Sequence, residues 1–236
     1  MNIILIALSL IPVYFILSII YSNDKVEKEP AKLLILTFIG GVISLFLTKF
    51  LASKYQYYLP FLIEENPGLE AYKIFLISFG EIGLIEELCK WLILYFMIWR
   101  NKEFNHIYDA IVYAVFISLG FATIENFFYL WNTNFATLIV RSLFTVPGHA
   151  FFGVIMGYFF GYAKYYQKMG YKYNYFKYMY TSLFSVIVLH GLFDYFLAFE
   201  NKYSTIIFIG YALLLGIISF FQIRKVNKLE LTWDRW

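Results

Sequence analysis

Glu86, Glu87 and Lys90, then Glu125 and Asn126, then Arg141 and His149, then His190 and Asp194 lie in stretches otherwise apolar enough to cross a membrane. A charge at the centre of a bilayer helix costs about 2.5–3.5 kcal/mol even on lenient insertion scales, and such residues usually face a protein interior or a water cavity. Carboxylates can take a proton from water, and imidazoles can bind or polarise a developing oxyanion. Their recurrence at mid-span predicts chemistry within the membrane.

The first group reads Ile85-Glu86-Glu87-Leu88-Cys89-Lys90. Lys90 lies at i+4 from Glu86 and i+3 from Glu87, so both carboxylates reach its ammonium on one helix face. A simple ion pair explains one Glu and leaves the second uncompensated, which suits a general base. Glu125, in Gly120-Phe121-Ala122-Thr123-Ile124-Glu125-Asn126, has no cation near it in sequence, so its partner must come from another helix. Asn126 is a hydrogen-bonding accessory. In the segment 141–161, Pro147 removes a backbone donor and Gly148 is permissive, which predicts a kink or break just before His149. Broken backbone at membrane depth is tolerated only where protein or water satisfies it, so a wet cavity is expected there. Gly153, Gly157 and Gly161 form a small-residue stripe headed by His149, which should therefore face another helix. Arg141 is either a positioning group or a snorkelling one. His190 and Asp194 share a face at i and i+4, where the carboxylate can fix the tautomer of the imidazole or join it on one ion.

Other polar residues fall outside this set. His106 and Asp109 are expected in a cytoplasmic loop. Glu81 lies five residues before Glu86, about 140° away around an α-helix, and is expected to be solvated near the outer end. Cys89 reads as packing. The stretch from Lys54 to Tyr72 reads as a connecting loop, with an amphipathic segment lying on the outer surface and gating the cavity as the alternative.

The elements that must position these groups follow from composition. Of 236 residues, 61% are apolar and 15% charged, and mean hydropathy is +0.65, which places the chain among polytopic membrane proteins. A single cysteine excludes an internal disulfide and a thiolate-rich metal site. A net charge of +3 is too small to suggest nucleic acid binding. The predicted fold is all-α, one integral-membrane domain over 1–236, with about seven spans near 2–21, 31–50, 73–99, 107–131, 138–163, 178–199 and 203–222. The polar site belongs to spans three to six. Thirteen Lys and Arg fall in the connections after spans one, three and five and in the C-terminal tail, against four (Lys49, Lys54, Lys73 and Lys202) on the opposite side. The positive-inside rule then predicts an N-terminus outside and a C-terminus in the cytoplasm of a cell-membrane protein. Counted along helices at about 1.5 Å per residue, Glu86, Glu125, His149 and His190 all fall in the outer half of the bilayer, as a shared site requires.

The strings IEELCKW at 85–91, GFATIEN at 120–126, RSLFTVPGHAFFGVIMGY at 141–158 and LHGLFDY at 189–195 resemble the PrsW family of intramembrane proteases, related to the CAAX-processing membrane endopeptidases. The resemblance covers about half the chain, in the order of the family. It implies an intramembrane endopeptidase cutting a membrane-anchored, single-span protein, such as an anti-sigma factor, near the extracytoplasmic side. It assigns functional positions to Glu86, Glu87, Lys90, Glu125, His149, His190 and Asp194. On the favoured reading no cofactor is needed: Glu86 or Glu87 activates water, His149 and His190 support the oxyanion, Asp194 orients His190, and Glu125 with Asn126 holds water or peptide. The alternative places Zn²⁺ between His149, His190 and a carboxylate from Glu86, Glu87 or Glu125. Outside proteolysis, intramembrane acids and imidazoles also mark proton- or metal-coupled transporters, and a non-proteolytic helper or immunity role is the remaining alternative. No second Pro-Gly break within a predicted span (Pro67-Gly68 lies in a connection) and no second EExxK gives the chain the paired halves often seen in transporters.

Overall fold

A computed structural model describes residues 3–62, 70–132, 135–198 and 203–230. Lys202 and Arg235, counted in the charge distribution, and the middle of the 54–72 connection lie outside the described residues. The elements in order are α1 (Ile3–Asn23), α2 (Ala31–Tyr58), a 3₁₀ turn (Pro60–Leu62), α3 (Glu70–Leu76), a first π-helical segment (Ile77–Glu86), α4 (Glu87–Ile98), α5 (Ile107–Asn132), α6 (Phe135–Val140), a second π-helical segment (Arg141–Thr145), α7 (Val146–Lys168), α8 (Lys172–Ala198) and α9 (Ser204–Glu230). No strand occurs among the described residues.

The chain is a helical polytopic membrane protein. Among the described residues five helices meet both length and hydropathy for crossing a membrane, Ala31–Tyr58, Ile107–Leu130, Phe135–Lys168, Lys172–Ala198 and Ser204–Glu230, so the expected count of seven is not confirmed. The other two expected spans coincide with α1, whose apolar described part Ser9–Asn23 is shorter, and with the run from α3 through α4, which the first π-segment divides. Large apolar side chains point outward, among them Phe15, Ile206, Leu213 and Phe221. Such a surface is disfavoured in water and suits a lipid solvent.

Helix α5 is the axis of the bundle, with 83% of its apolar window buried. The glycine stripe of α7 faces it. A Cβ on Gly157 would meet Ala110 O and Ile111 Cα at 2.5 Å, and one on Gly161 would meet Ile107 O at 2.6 Å. On the other side α2 crosses α5 through a reciprocal pair, where a Cβ on Gly41 would meet Ile117 O at 2.0 Å and one on Gly120 would meet Phe38 O at 2.1 Å. Only glycine lets these backbones come so close. The α5 end that carries Glu125 is thereby fixed between α2 and α7.

Three expectations are corrected here. Of the kink or break predicted at Pro147, the break is absent: Phe135–Lys168 runs as one helix with Pro147 in the first turn of α7, and the irregularity takes the form of the π-helical segment before it. The backbone accommodates the missing donor by widening the turn before it, where the Val146 N–H bonds back to Arg141 O, five residues away. Lys54 to Tyr58 belongs to α2 and not to a loop. Asp109 also lies in a helix, the first turn of α5, where its Oδ2 accepts the N–H groups of Asn105 at 2.9 Å and His106 at 2.6 Å. Glu230 Oε1 accepts the next two, from Ile107 and Tyr108, so two carboxylates cap the α5 N-terminus. Asp24 and Glu29 gather beside Asp109. Burial first, then the negative charge of Asp109, pushes the Glu29 carboxyl up to about 10, and burial raises that of Asp24. Sixteen residues of α5, about 24 Å, separate Asp109 from Glu125.

Candidate active site

Glu86 closes the first π-segment and Glu87 opens α4, so the two acids straddle a change of helical register. Lys90, one turn on, is fully buried. Its Nζ donates to Glu87 Oε1 at 2.8 Å and to Glu86 Oε2 at 3.3 Å, as the spacing predicts. The ammonium also lies 3.2 Å from His149 Nδ1 and 3.9 Å from the Phe121 ring centroid. An ammonium only donates, so Nδ1 of a neutral His149 accepts and Nε2 carries the hydrogen. That Nε2 sits 3.1 Å from Glu125 Oε2.

Glu125 finds its cation on another helix, as expected: Arg141 Nη2 approaches Glu125 Oε2 to 2.7 Å. Arg141 Nε donates to Asn126 Oδ1 at 2.7 Å, and the guanidinium lies 3.8 Å from the Tyr129 ring centroid. Arg141 is thus turned inward onto Glu125, Asn126 and Tyr129. Asn126 is buried behind it and absent from the cavity wall. His190 Nδ1 lies 2.7 Å from Glu87 Oε1, and Nε2 lies 3.0 Å from Asp194 Oδ2. Both ring nitrogens thus face carboxylates, and Phe152 stacks on the ring at 4.5 Å. The two imidazoles stand nearly perpendicular, 5.3 Å apart.

A cavity of ≈ 370 Å³ opens onto this cluster, lined by Glu86, Glu125, Arg141, His149, His190 and Asp194. Its volume falls within the range of small-ligand sites. The nine residues singled out by sequence thus divide into two layers. Glu86, Glu125 and Asp194 are 12%, 19% and 19% exposed to the cavity at the side chain, whereas Glu87 and Lys90 are at 0%. Four carboxylates face two permanent cations, Lys90 and Arg141.

Five polar residues of the cavity wall were missed: Thr48, Lys49, Glu81, Tyr129 and Thr145. Glu81 is half-buried in the cavity wall, contrary to the expected solvated position. The reason is the helix type. In an α-helix residue i+5 lies about 140° around, but in a π-helix i and i+5 are one turn apart and share a face. Gly80 and Gly83 within Phe79-Gly80-Glu81-Ile82-Gly83 were the available signal of irregular backbone.

One donor atom from each of Glu86, Glu87, His149 and His190 lies within 4.8 Å of the others. Imidazole and carboxylate donors in this number suit a zinc-type ion. Glu87 Oε2, buried with no hydrogen-bond partner, leaves one acceptor open for it. The residues therefore fit such an ion. Glu125 is outside this group, committed instead to Arg141 and His149.

Against known proteins, residues 29–223 match a family model described as PrsW family intramembrane metalloprotease. The chain belongs to the PrsW family. It is 34% identical to Protease PrsW of Oceanobacillus iheyensis, over 92% of this chain and 93% of that protein. It is 36% identical to Protease PrsW of Geobacillus kaustophilus, over 85% and 82%, and 32% identical to Protease PrsW of Bacillus subtilis, over 96% and 98%. No solved structure matches. The protein is a peptidase of the membrane.

Proposed function

We propose that the protein hydrolyses a peptide bond of a single-span membrane protein, with Glu86 as the base that activates water. The observation that carries this reading is the division of the acid pair: Glu86 faces the cavity that both imidazoles line, and Glu87 is sealed behind it. Glu86 removes a proton from water as the oxygen attacks the scissile carbonyl, and returns it to the leaving amine as the C–N bond breaks. In the resting site the ring N–H groups of His149 and His190 are held by carboxylates, so each supports the oxyanion by exchanging its cavity-facing partner, Glu125 or Asp194, for it as the oxyanion forms. Glu125 holds His149 in place, and Asp194 with Glu87 holds His190. Arg141 anchors Glu125, and Asn126 anchors Arg141 in turn. Lys90 offsets one charge of the acid pair and fixes its geometry.

The metalloprotease character ascribed to the matching family and the four-residue donor group favour a second route to the same activated water. A divalent ion held by His149, His190 and Glu86 or Glu87 would supply Lewis-acid polarisation and acidify water. The positioning by Glu125, Asp194, Arg141 and Lys90 serves either route. Metal analysis of purified protein, paired with chelation, separates them: one tightly held zinc whose removal abolishes cleavage selects the ion.

The same proposal takes residues 1–236 as one domain in the cell membrane, N-terminus outside and C-terminus cytoplasmic, cutting near the extracytoplasmic face. An anti-sigma factor is the substrate class the family resemblance suggests. Co-expression with candidate single-span proteins tests it, comparing wild type with Glu86→Gln and His190→Ala. A truncated product with wild type alone supports the reading; the same product with every variant at normal abundance sinks it.

A further inference from the structure

Glu81 has no part in the chemistry above, yet it lines the same cavity. The carboxylate is held from α2, where Gln56 Nε2 donates to Glu81 Oε1 at 2.8 Å. Its other oxygen, Oε2, is buried and has no hydrogen-bond partner. A buried carboxylate oxygen left open costs free energy that an incoming donor recovers, most of all a cationic one. The cations of the cavity region are engaged elsewhere. Lys90 pairs with Glu86 and Glu87, Arg141 pairs with Glu125, and Lys49 rests 3.9 Å from the Phe128 ring centroid. The backbone around Glu81 is also held: Tyr55 OH donates to Leu76 O at 3.1 Å, and a Cβ on Gly80 would meet that hydroxyl oxygen at 2.2 Å. The π-helical register places Glu81 one turn from Glu86 on the cavity face.

We propose that Glu81 is a specificity-determining residue whose open oxygen binds a basic side chain, Lys or Arg, of the substrate. The inference rests on the reading of the cavity as the cleavage site. One helical turn is about 5.4 Å and an extended peptide advances about 3.3–3.6 Å per residue. The basic residue therefore lies within roughly three residues of the scissile bond once its side-chain reach is added.

The test uses the full chain in detergent and a display library of single-span segments with eight randomised residues on the outer flank. Selection is for binding to the Glu86→Gln protein, so that capture does not depend on cutting. At least tenfold enrichment of Lys or Arg at one flank position is expected. It should vanish in Glu81→Gln/Glu86→Gln and give way to Asp or Glu in Glu81→Arg/Glu86→Gln. Enrichment indifferent to residue 81, or none for basic residues, overturns the inference. Thermal unfolding checks each variant. Should those at residue 81 fail to fold, Gln56→Ala, which loosens the carboxylate without removing it, must weaken the enrichment, and an unchanged pattern overturns the proposal. Cleavage of the selected segments by wild type and not by Glu86→Gln tests the base separately, so either reading can fail alone.

Discussion

Replacing each member of the acid pair by Gln should produce opposite phenotypes. Glu87 and Lys90 are both at 0% side-chain exposure, with Glu87 Oε1 at 2.8 Å from the ammonium and 2.7 Å from His190 Nδ1. Glu87→Gln leaves Lys90 buried with one anion, Glu86 at 3.3 Å, and strips His190 of its closer carboxylate. Breaking a buried pair in this way costs about 3–5 kcal/mol, which for a chain of this size lowers the unfolding temperature by roughly 6–20 °C. Glu86→Gln is milder for the fold, because Lys90 keeps its shorter partner and the amide faces the cavity. A loss of about 1–2 kcal/mol, roughly 2–8 °C, is expected. Its effect on rate is the larger one, about 10²–10⁴-fold, if Glu86 is the base. The assay pairs thermal unfolding in detergent with single-turnover cleavage in proteoliposomes. Glu87→Gln unfolding within 2 °C of wild type, or Glu86→Gln retaining more than a tenth of the cleavage rate, would refute the division of labour.

Arg141→Lys cannot span Glu125 and Asn126 as the guanidinium does, each at 2.7 Å. Turnover should fall at least about tenfold through misplaced Glu125 and His149, with the folded protein still recovered by size-exclusion chromatography. Gly157→Ala drives a Cβ to 2.5 Å from the α5 backbone, so a loss of about 1–3 kcal/mol is expected. The exposed Gly210, with nothing within 4 Å of its Cβ position, should accept Ala without change in unfolding temperature. Glu29 supplies a pH test. Its folded pKa of about 10 stands above the ordinary 4.5, so the folded state holds a proton that the unfolded state loses. Its contribution is fully present below pH 4.5 and declines as pH rises toward 10. Unfolding temperatures from pH 5 to 9 should therefore fall less steeply in Glu29→Gln than in wild type, and equal slopes would count against a protonated Glu29.

Much of the site was legible because burying charge in lipid is costly enough to make each exception informative. The types and order of the acids, imidazoles and cations, the i,i+4 pairs Glu86–Lys90 and His190–Asp194, and the glycine face of α7 all follow from local rules. So did the need of Glu125 for a cation on another helix. Which cation it would be was not local information: Arg141 is sixteen residues away in sequence, and Glu87 and His190 are 103 apart.

Helix register was the other quantity that composition could not supply. A count of 3.6 residues per turn turned Glu81 away from Glu86, and the missing donor of Pro147 beside Gly148 predicted a kink or break there. Two π-helical segments instead bring Glu81 into the cavity and carry the helix past the proline. Backbone hydrogen bonds can shift by one residue at small local cost, and packing between helices decides whether they do. The sequence by itself thus determined a helical membrane protein with acids, imidazoles and cations in a fixed order along its spans. Tertiary structure alone decided which carboxylate faces the cavity, because burial belongs to the assembled bundle and not to either of two adjacent glutamates.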